Sequence, residues 1–434
     1  MNVIDKMVEA VSPEMAVKRQ RARGVLAIRN AQLDNLDKFM NSGYSNGGAS
    51  RGKRFAKKWK FTSGSPKRDI EENRKILRER SRDLAMNTPL GAAAINSTRT
   101  NTIGCGLIPK PKIDYEFLGL SREEARTLEK EIRQEFRIWA ESTLCDTADQ
   151  NDFYELQQIA FSDWLRNGEE FALISYDDEQ EYQPYQLRIR LIEGDRVSTP
   201  GSLNGDYFTD KKLKNGNRIV NGVEITDSGK VVAYHICSRF PNDYDATQTK
   251  WVRVVKRGEK TGNLNILHVF NAERAGQYRG VPFLAPVIES IKQISRYTDA
   301  EIMAAVINSM FTVFITTEQG DEISEFGGEE DEIDDELEDE EVTLGSGTVN
   351  FLKNGEDVRT VAATHPTGNF DQFLAAMAKL VGAALEIAPE ILLKSFNKSF
   401  SASKGAMNES WKAIKMRRGW FINDFCQVIY ELWL

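Results

Sequence analysis

The chain has 434 residues, 41% hydrophobic and 28% charged, which is too long for one small core and suits two or three folding units. No apolar run is long enough to cross a membrane, and the charges spread through residues 1–20 leave no room for a secretory signal. Four widely spaced cysteines (Cys105, Cys145, Cys237, Cys426) and three histidines exclude a disulfide framework or zinc ribbon, fit a reducing cytoplasmic setting and leave little for histidine-based catalysis.

The net charge of −8 is segregated. Fifteen acids crowd the 24 positions of Glu318–Glu341, and the rest of the chain without them stands at +7. Asn41–Arg68 carries eight Lys or Arg and no acid, and Lys394–Arg418 carries seven against Glu409 alone. Each stretch reads either as a solvated segment or as an address for a separate partner.

In chain order, residues 1–69 read as a basic arm. A short helical pattern (Val17, Val25, Ile28, Leu33, Leu36) leads into a Gly, Ser and Asn run that buries too little surface to offset its ordering entropy. The arm's cations Lys53, Arg54, Lys57, Lys58 and Lys60 interleave with Phe55 and Trp59, which suits contact with an acidic protein surface or with a nucleic-acid backbone. Residues 70–100 predict helix, with Pro89 as a break or a fresh first turn. Ser121 with Glu124 and Asp152 with Glu155 are capping boxes, and Asn167-Gly168 is a helix stop. Strands are predicted at Phe171–Ile174, Gln186–Ile192, Ile225–Thr226, Val231–Ile236, Trp251–Val255 and Ile266–Phe270. Helices first and strands next predict an α+β domain over 70–284.

The second half changes character. Pro286 opens a helix to about Phe311. Thr312–Thr317 is extended, the acidic run follows, and Asn354-Gly355 signals a hairpin. Phe370, Phe373, Leu374, Met377, Leu380, Val381, Ala384 and Leu385 form a helical stripe whose opposite face is small, so the helix wants neighbours all round: core or subunit contact. Pro389 ends it, Ile391–Ser403 is irregular, and a last helix carries a four–three seam of Met407, Trp411, Ile414, Arg418, Phe421, Phe425, Val428 and Leu432. The chain stops at Leu434 without a breaker, which suggests a truncated C-terminus.

Apparent chemical motifs fail on context. Gly43–Gly47 matches G-x-S-x-G but lacks the flanking strand and helix of a nucleophile elbow. Gly258–Gly262 lacks phosphate-loop spacing and reads as a hairpin turn. The acidic run has no Gly where a calcium loop needs one, so no metal and no cofactor are expected. His235 and His268 lie in strand patterns without a partner motif and read as satisfied sheet residues.

Several stretches, in order, resemble the lambda-type portal proteins of tailed bacteriophages. They are Leu77–Leu84 with Asn87 and Pro89; Gly104–Leu107; Trp164–Glu169; Leu191–Arg196; His268–Phe270 with Arg274–Pro282; and Ser399–Lys404 with Trp411. The set covers about residues 44–433. The acidic insertion is longer than the family pattern, and the family runs further at its C-terminus.

The resemblance implies a non-enzymatic α+β subunit of a ring, usually of about twelve copies, at one capsid vertex, assembled in the bacterial cytoplasm and carried in the virion. Double-stranded DNA passes through its channel on packaging and ejection. Terminase large subunit, head-completion or adaptor proteins, tail proteins, major capsid protein and scaffold are the implied partners, with no membrane. The implied parts are a wing over 70–284, a first stem helix over 285–311 and a clip over 312–364 containing the insertion 318–341. A second stem helix over 365–388, a channel loop over 389–404 and a helix over 405–434 leading to a crown complete them.

Three sets of site residues follow. Lys394, Lys398 and Lys404 are channel candidates for the DNA backbone. Ile291, Ile294, Phe373, Met377, Leu380, Val381 and Leu385 are stem or subunit-contact candidates. Glu329, Glu330, Asp331, Glu332, Asp334, Asp335, Glu336, Glu338, Asp339, Glu340 and Glu341 are the acidic docking candidates. The competing readings are a DNA-processing enzyme of the packaging machinery, which would need a carboxylate metal set or an intact phosphate loop, and a capsid shell or scaffold subunit.

Overall fold

The computed structural model describes 63–178, 181–182, 184–201, 210–240, 249–309, 313–317, 356–360, 370–396 and 399–434, with parts of 12–29. Two units separate at Gly64/Ser65. In the first, residues 21–29 are helical and exposed. The acidic run, the basic-arm cations, Gly43–Gly47 and Asn354-Gly355 lie outside the described residues.

The second unit is α+β. Helix α1 (Arg74–Asn87) stops at Thr88, and α2 (Pro89–Thr102) starts there. Thr88 Oγ1 accepts from Gly91 N, and Pro89 takes the first helical position, where its missing N–H is harmless. Pro89 therefore begins a helix rather than kinking one. Helices α3 (Arg122–Ala140) and α4 (Phe153–Asn167) both open on the expected capping boxes, with Ser121/Glu124 and Asp152/Glu155 exchanging side-chain and backbone bonds.

A three-stranded antiparallel sheet follows, ordered β2 (Leu187–Glu193), β1 (Glu169–Tyr176), β8 (Ile266–Phe270). A second antiparallel sheet runs β3 (Lys211–Lys212), β4 (Arg218–Val220), β5 (Val223–Ile225), β6 (Val231–Cys237), β7 (Trp251–Val255). The first two of these strands are too short to show an alternating pattern in the sequence. Gly258–Gly262 is a tight turn closed by Gly258 N to Asn263 O at 2.9 Å, as its composition predicts.

Alternation along β1 divides its neighbours. Ala172 and Ile174 join the larger core with helices α1–α4, while Phe171 joins Val220, Val223, Ile225, Tyr234 and Ile236 in a smaller core between the sheets. The central sheet is thus covered by helices on one face and by the second sheet on the other. Alternation also sends Glu169 and Glu170 to opposite faces.

Helices α5 (Ile288–Ser309) and α6 (Phe370–Ala384) lie side by side, Tyr297 meeting Phe370 and Phe373 at ring separations of 5.8 and 4.8 Å. The 3-10 turn Ala285–Val287 precedes α5, so the helix starts slightly later than Pro286 suggests. Strands β9 (Val313–Thr317) and β10 (Glu356–Thr360) pair antiparallel, with Thr317 opposite Glu356.

Helix α6 ends before Pro389: Glu386 turns the chain at φ 55° and Ile387 N bonds Gly382 O. Pro389 instead begins a short turn, Pro389–Leu392. The irregular stretch is shorter than the sequence suggests, because Ser399 caps α7 (Phe400–Phe421).

The terminal seam is also modified. A π-helical segment, Ile422–Cys426, separates α7 from α8 (Gln427–Trp433). Its wider turn advances the buried face by a residue, so Ile429 rather than Val428 follows Phe421 and Phe425 into the core. These rings continue an aromatic series through Phe153, Phe161, Phe136 and Trp139. Arg418 interrupts the apolar seam because it caps α2, donating to Thr102 O at 2.8 Å and Asn101 O at 2.7 Å over the Trp411 ring.

Two glycines test this architecture. A Cβ on Gly280 would sit 1.9 Å from Gly168 O, whereas one on helical Gly405 meets nothing within 4 Å. Gly280→Ala is expected to destabilise by about 2 kcal/mol or more, and Gly405→Ala to stabilise by about 0.5–1 kcal/mol. Denaturant unfolding of both variants reads the two signs.

Candidate functional site

The most heavily bonded group lies between the layers. Glu169, fully buried, starts β1 directly after the left-handed Gly168. Its Oε1 accepts from Arg74 Nη1 at 2.7 Å, Arg78 Nη2 at 2.5 Å and Arg279 Nη2 at 2.6 Å. Its Oε2 accepts from Arg279 Nε at 2.8 Å, His268 Nε2 at 3.0 Å and Gly280 N at 3.0 Å. Asp195 adds a second acid, accepting from Arg78 at 2.7 Å and also from Arg82.

Arg74, Arg78, Arg82 and Arg279 outnumber these two carboxylates; Glu193 shares Arg82, and backbone carbonyls meet other guanidinium N–H groups. Arg279 donates to Gly194 O at 2.6 Å, Val197 O at 2.8 Å and Asn221 O, while Arg78 donates to Asn167 O at 3.2 Å. Glu71 ties in the chain before α1, accepting from Asn221 Nδ2 at 2.7 Å and Tyr278 N at 3.0 Å. A buried ion cluster is tolerable only when its polar atoms are met in this way.

The electrostatics follow. Burial would raise the Glu169 carboxyl, but Arg279, Arg74, His268 and Arg78 together hold it well below the usual range. Burial, then Arg279 and Arg78, bring Arg74 down to about 9, so it stays cationic at neutral pH. Burial takes His268 down to about 4, making it a neutral imidazole that donates to Glu169 and stacks 4.1 Å from Phe171. His235 is tied similarly to Glu224, which Arg253 above all holds at about 2. Both sheet histidines are therefore carboxylate-paired.

Most of the cluster's members come from the quoted motif stretches: Arg78 and Arg82, Asn167 and Glu169, Gly194 and Asp195, His268, Arg279 and Gly280; Glu71, Arg74 and Asn221 lie outside them. The stretches meet at one point although up to 117 residues separate the bonded partners in the chain. The stretches are recognisable in the sequence, but their contact is not. The available signal was a surplus of charges beside apolar strand residues. Among the described residues, no group of His, Cys, Asp or Glu is arranged to hold a metal.

The candidates named from sequence are elsewhere. Lys394 is exposed at φ 52°, Lys404 is exposed on the first turns of α7 with its Nζ 5.9 Å from the Phe400 ring, and Lys398 lies outside the described residues. Ile291, Ile294, Val381 and Leu385 are buried within the chain, Met377 is half-buried, and Phe373 and Leu380 are exposed, Leu380 by 66%. Periodicity located the stripe but did not separate its internal side from its open side. Ile302, Met303 and Val306 of α5 are also exposed and were not singled out.

The family profile for the phage portal protein, lambda family, matches residues 52–418. The chain belongs to this family of portal proteins. Portal protein B of Escherichia phage lambda is 22% identical over 410 residues, 91% of this chain and 74% of that protein. The portal protein of Escherichia phage N15 is 20% identical over 410 residues, with the same coverage of 91% and 74%. A chain from the virion of a native gene transfer agent particle aligns with TM-score 0.45 and 12% identity, over 81% of each chain. The portal family is structural rather than enzymatic. None of the described helices is long and apolar enough to cross a membrane.

The buried cluster therefore has a structural task in a portal subunit: it fixes α1, the α4–β1 joint, β8 and the Arg274–Pro282 segment together. Glu169→Gln removes the central charge and leaves Arg74 and Arg279 without a carboxylate, for an expected loss of about 3–5 kcal/mol. The sign with pH follows from both shifts. The lowered Glu169 and His268 values mean that at these two sites the unfolded chain binds more protons, so their contribution to stability is full above about 6.5 and falls as pH drops toward 4 and below. Unfolding midpoints against pH check this, with a shallower acid slope expected for Glu169→Gln.

Proposed function

We propose that copies of this portal protein close into a ring, and that α5 and α6 form the stem flanking its channel. The observation that carries the reading is the arrangement of these helices. They stack through Tyr297, Phe370 and Phe373, α5 leads into β9, and β10 precedes α6 in the chain. Because Thr317 is paired with Glu356, the chain leaves β9 and re-enters at β10 at one place. Ring closure would cover Phe373 and Leu380 of α6 and Ile302, Met303 and Val306 of α5, large apolar side chains left open in one copy.

A conduit must hold a polyanion without gripping it. Each phosphate contact releases counterions and raises affinity steeply, so a continuous basic lining repeated around a ring would stall passage. A net acidic subunit with a few cations near the channel avoids this. Lys394, Lys398 and Lys404, the first and last exposed, are proposed to touch the DNA backbone transiently. The run from Glu329 to Glu341, multiplied around the ring, forms an acidic collar for a basic face of the packaging motor, and Lys53–Lys60 contacts an acidic neighbouring protein.

Native mass measurement tests the ring. Leu380→Asp with Ile302→Asp is expected to shift rings to free subunits while circular dichroism stays unchanged; rings of wild-type abundance in the double variant would remove the stem contact. For the collar, deletion of Glu329–Glu341 is expected to weaken binding of the terminase large subunit and to flatten its salt dependence. Unchanged binding with an unchanged salt slope rejects the docking role.

A further inference from the structure

Glu170 sits one residue from the cluster's centre and has the opposite surroundings. It is 1% exposed, and neither carboxylate oxygen has a hydrogen-bond donor among the described residues. Its cross-strand partner on β2 is Glu193, and on β8 it is Val269. The helix α4 above it contributes Asp163 and Arg166, with the Arg166 Nε also buried without a partner among the described residues. From α1 the nearest cations are Arg78 and Arg82, but these are taken by Glu169, Asp195, Glu193 and Asn167. Glu169 on its own strand is held by the cluster on the other face.

An ionised carboxylate in such a place would have no compensating bond and would face two like charges. We propose that Glu170 carries a proton in the folded portal subunit, and that losing it loosens the seam between α4 and the β1–β2 strand pair. The protonated acid is uncharged and sits quietly beside Ala172 and Ile174. The ionised form repels Glu193 across the ladder and Asp163 above it, and every nearby guanidinium of α1 already has an acid. The seam is thus a joint that loosens as pH rises, next to one that loosens as pH falls. Burial, then Asp163 and Glu193, push the Glu170 carboxyl well above its ordinary value, and burial with Glu193 takes Asp163 to about 7. A raised carboxyl makes the folded state the better proton binder, so its contribution is present at low pH and lost as pH rises through the shifted value.

The full-length chain is compared with Glu170→Gln by thermal unfolding from about pH 5.5 to about pH 8.5. Gln keeps the shape and cannot ionise, so the profile's slope, not its height, is the readout. The wild-type midpoint is expected to fall relative to the variant by at least ~2 °C across that range; Asp163 leaves a smaller residual slope in both. Parallel profiles would overturn the proposal. Should Glu170→Gln not fold, infrared spectra of the wild type and of Glu193→Gln decide. A buried carboxylic-acid C=O band at neutral pH that titrates away on alkalinisation, at a lower pH in Glu193→Gln, supports it. Absence of that band, or an unshifted titration, refutes it.

Discussion

One buried carboxylate organises the subunit. Glu169 has no water to solvate it, so its charge must be met by the protein, and the donors that meet it come from α1, β8 and the Arg279-Gly280 turn. Each donor fixes the position of the element that carries it. The close approach of Gly280 to Gly168 is the steric counterpart: a side chain there would push away the backbone whose N–H completes the site. Breaking such a cluster is far more damaging than replacing it whole with apolar residues. Its value is therefore geometric: it defines how helices and the two sheets meet.

The rest of the α+β unit hangs from that joint. Helices cover one face of the central sheet and the second sheet covers the other, so β1 is buried on both sides and can place neighbouring glutamates in opposite environments. The C-terminal helices close the larger core with aromatic rings, and Arg417 and Arg418 cap what they touch: Arg417 donates to Leu385 O at 2.9 Å where α6 turns, and Arg418 holds the end of α2. The α5–α6 pair is thereby anchored at one end to the larger core, through Ile291, Ile294, Val381 and Leu385, while Leu380 and Ile302 are exposed among the described residues.

Local features were legible in the sequence because their causes are local. Ser121/Glu124, Asp152/Glu155, Pro89 and Gly168 mark helix ends through bonds reaching only a few residues, and the longer strands declare themselves by alternation. The buried cluster was not legible, since nothing in Arg78 or Glu169 alone announces a partner across the fold; only the recurrence of charged residues in the family-like stretches hinted at it. Periodicity likewise marked Val381 and Leu380 together, but a stripe records that a face is apolar and not whose surface covers it. The π-helical turn at Ile422–Cys426 has no composition signal, which is why Ile429 was missed in favour of Val428. The short strands Lys211–Lys212 and Arg218–Val220 form because neighbours pair with them, not because their own residues demand it.

The pairing of β9 with β10 has a consequence for how such a subunit can vary. Since Thr317 and Glu356 already stand opposite each other, whatever joins them needs only to close on itself, and doubling its length adds roughly 0.6 kcal/mol of closure entropy. The helices beneath are indifferent to what is spliced in at that point. This makes the two-stranded pair a socket, at which one lineage can exchange the joining sequence for another without redesigning the helices on either side.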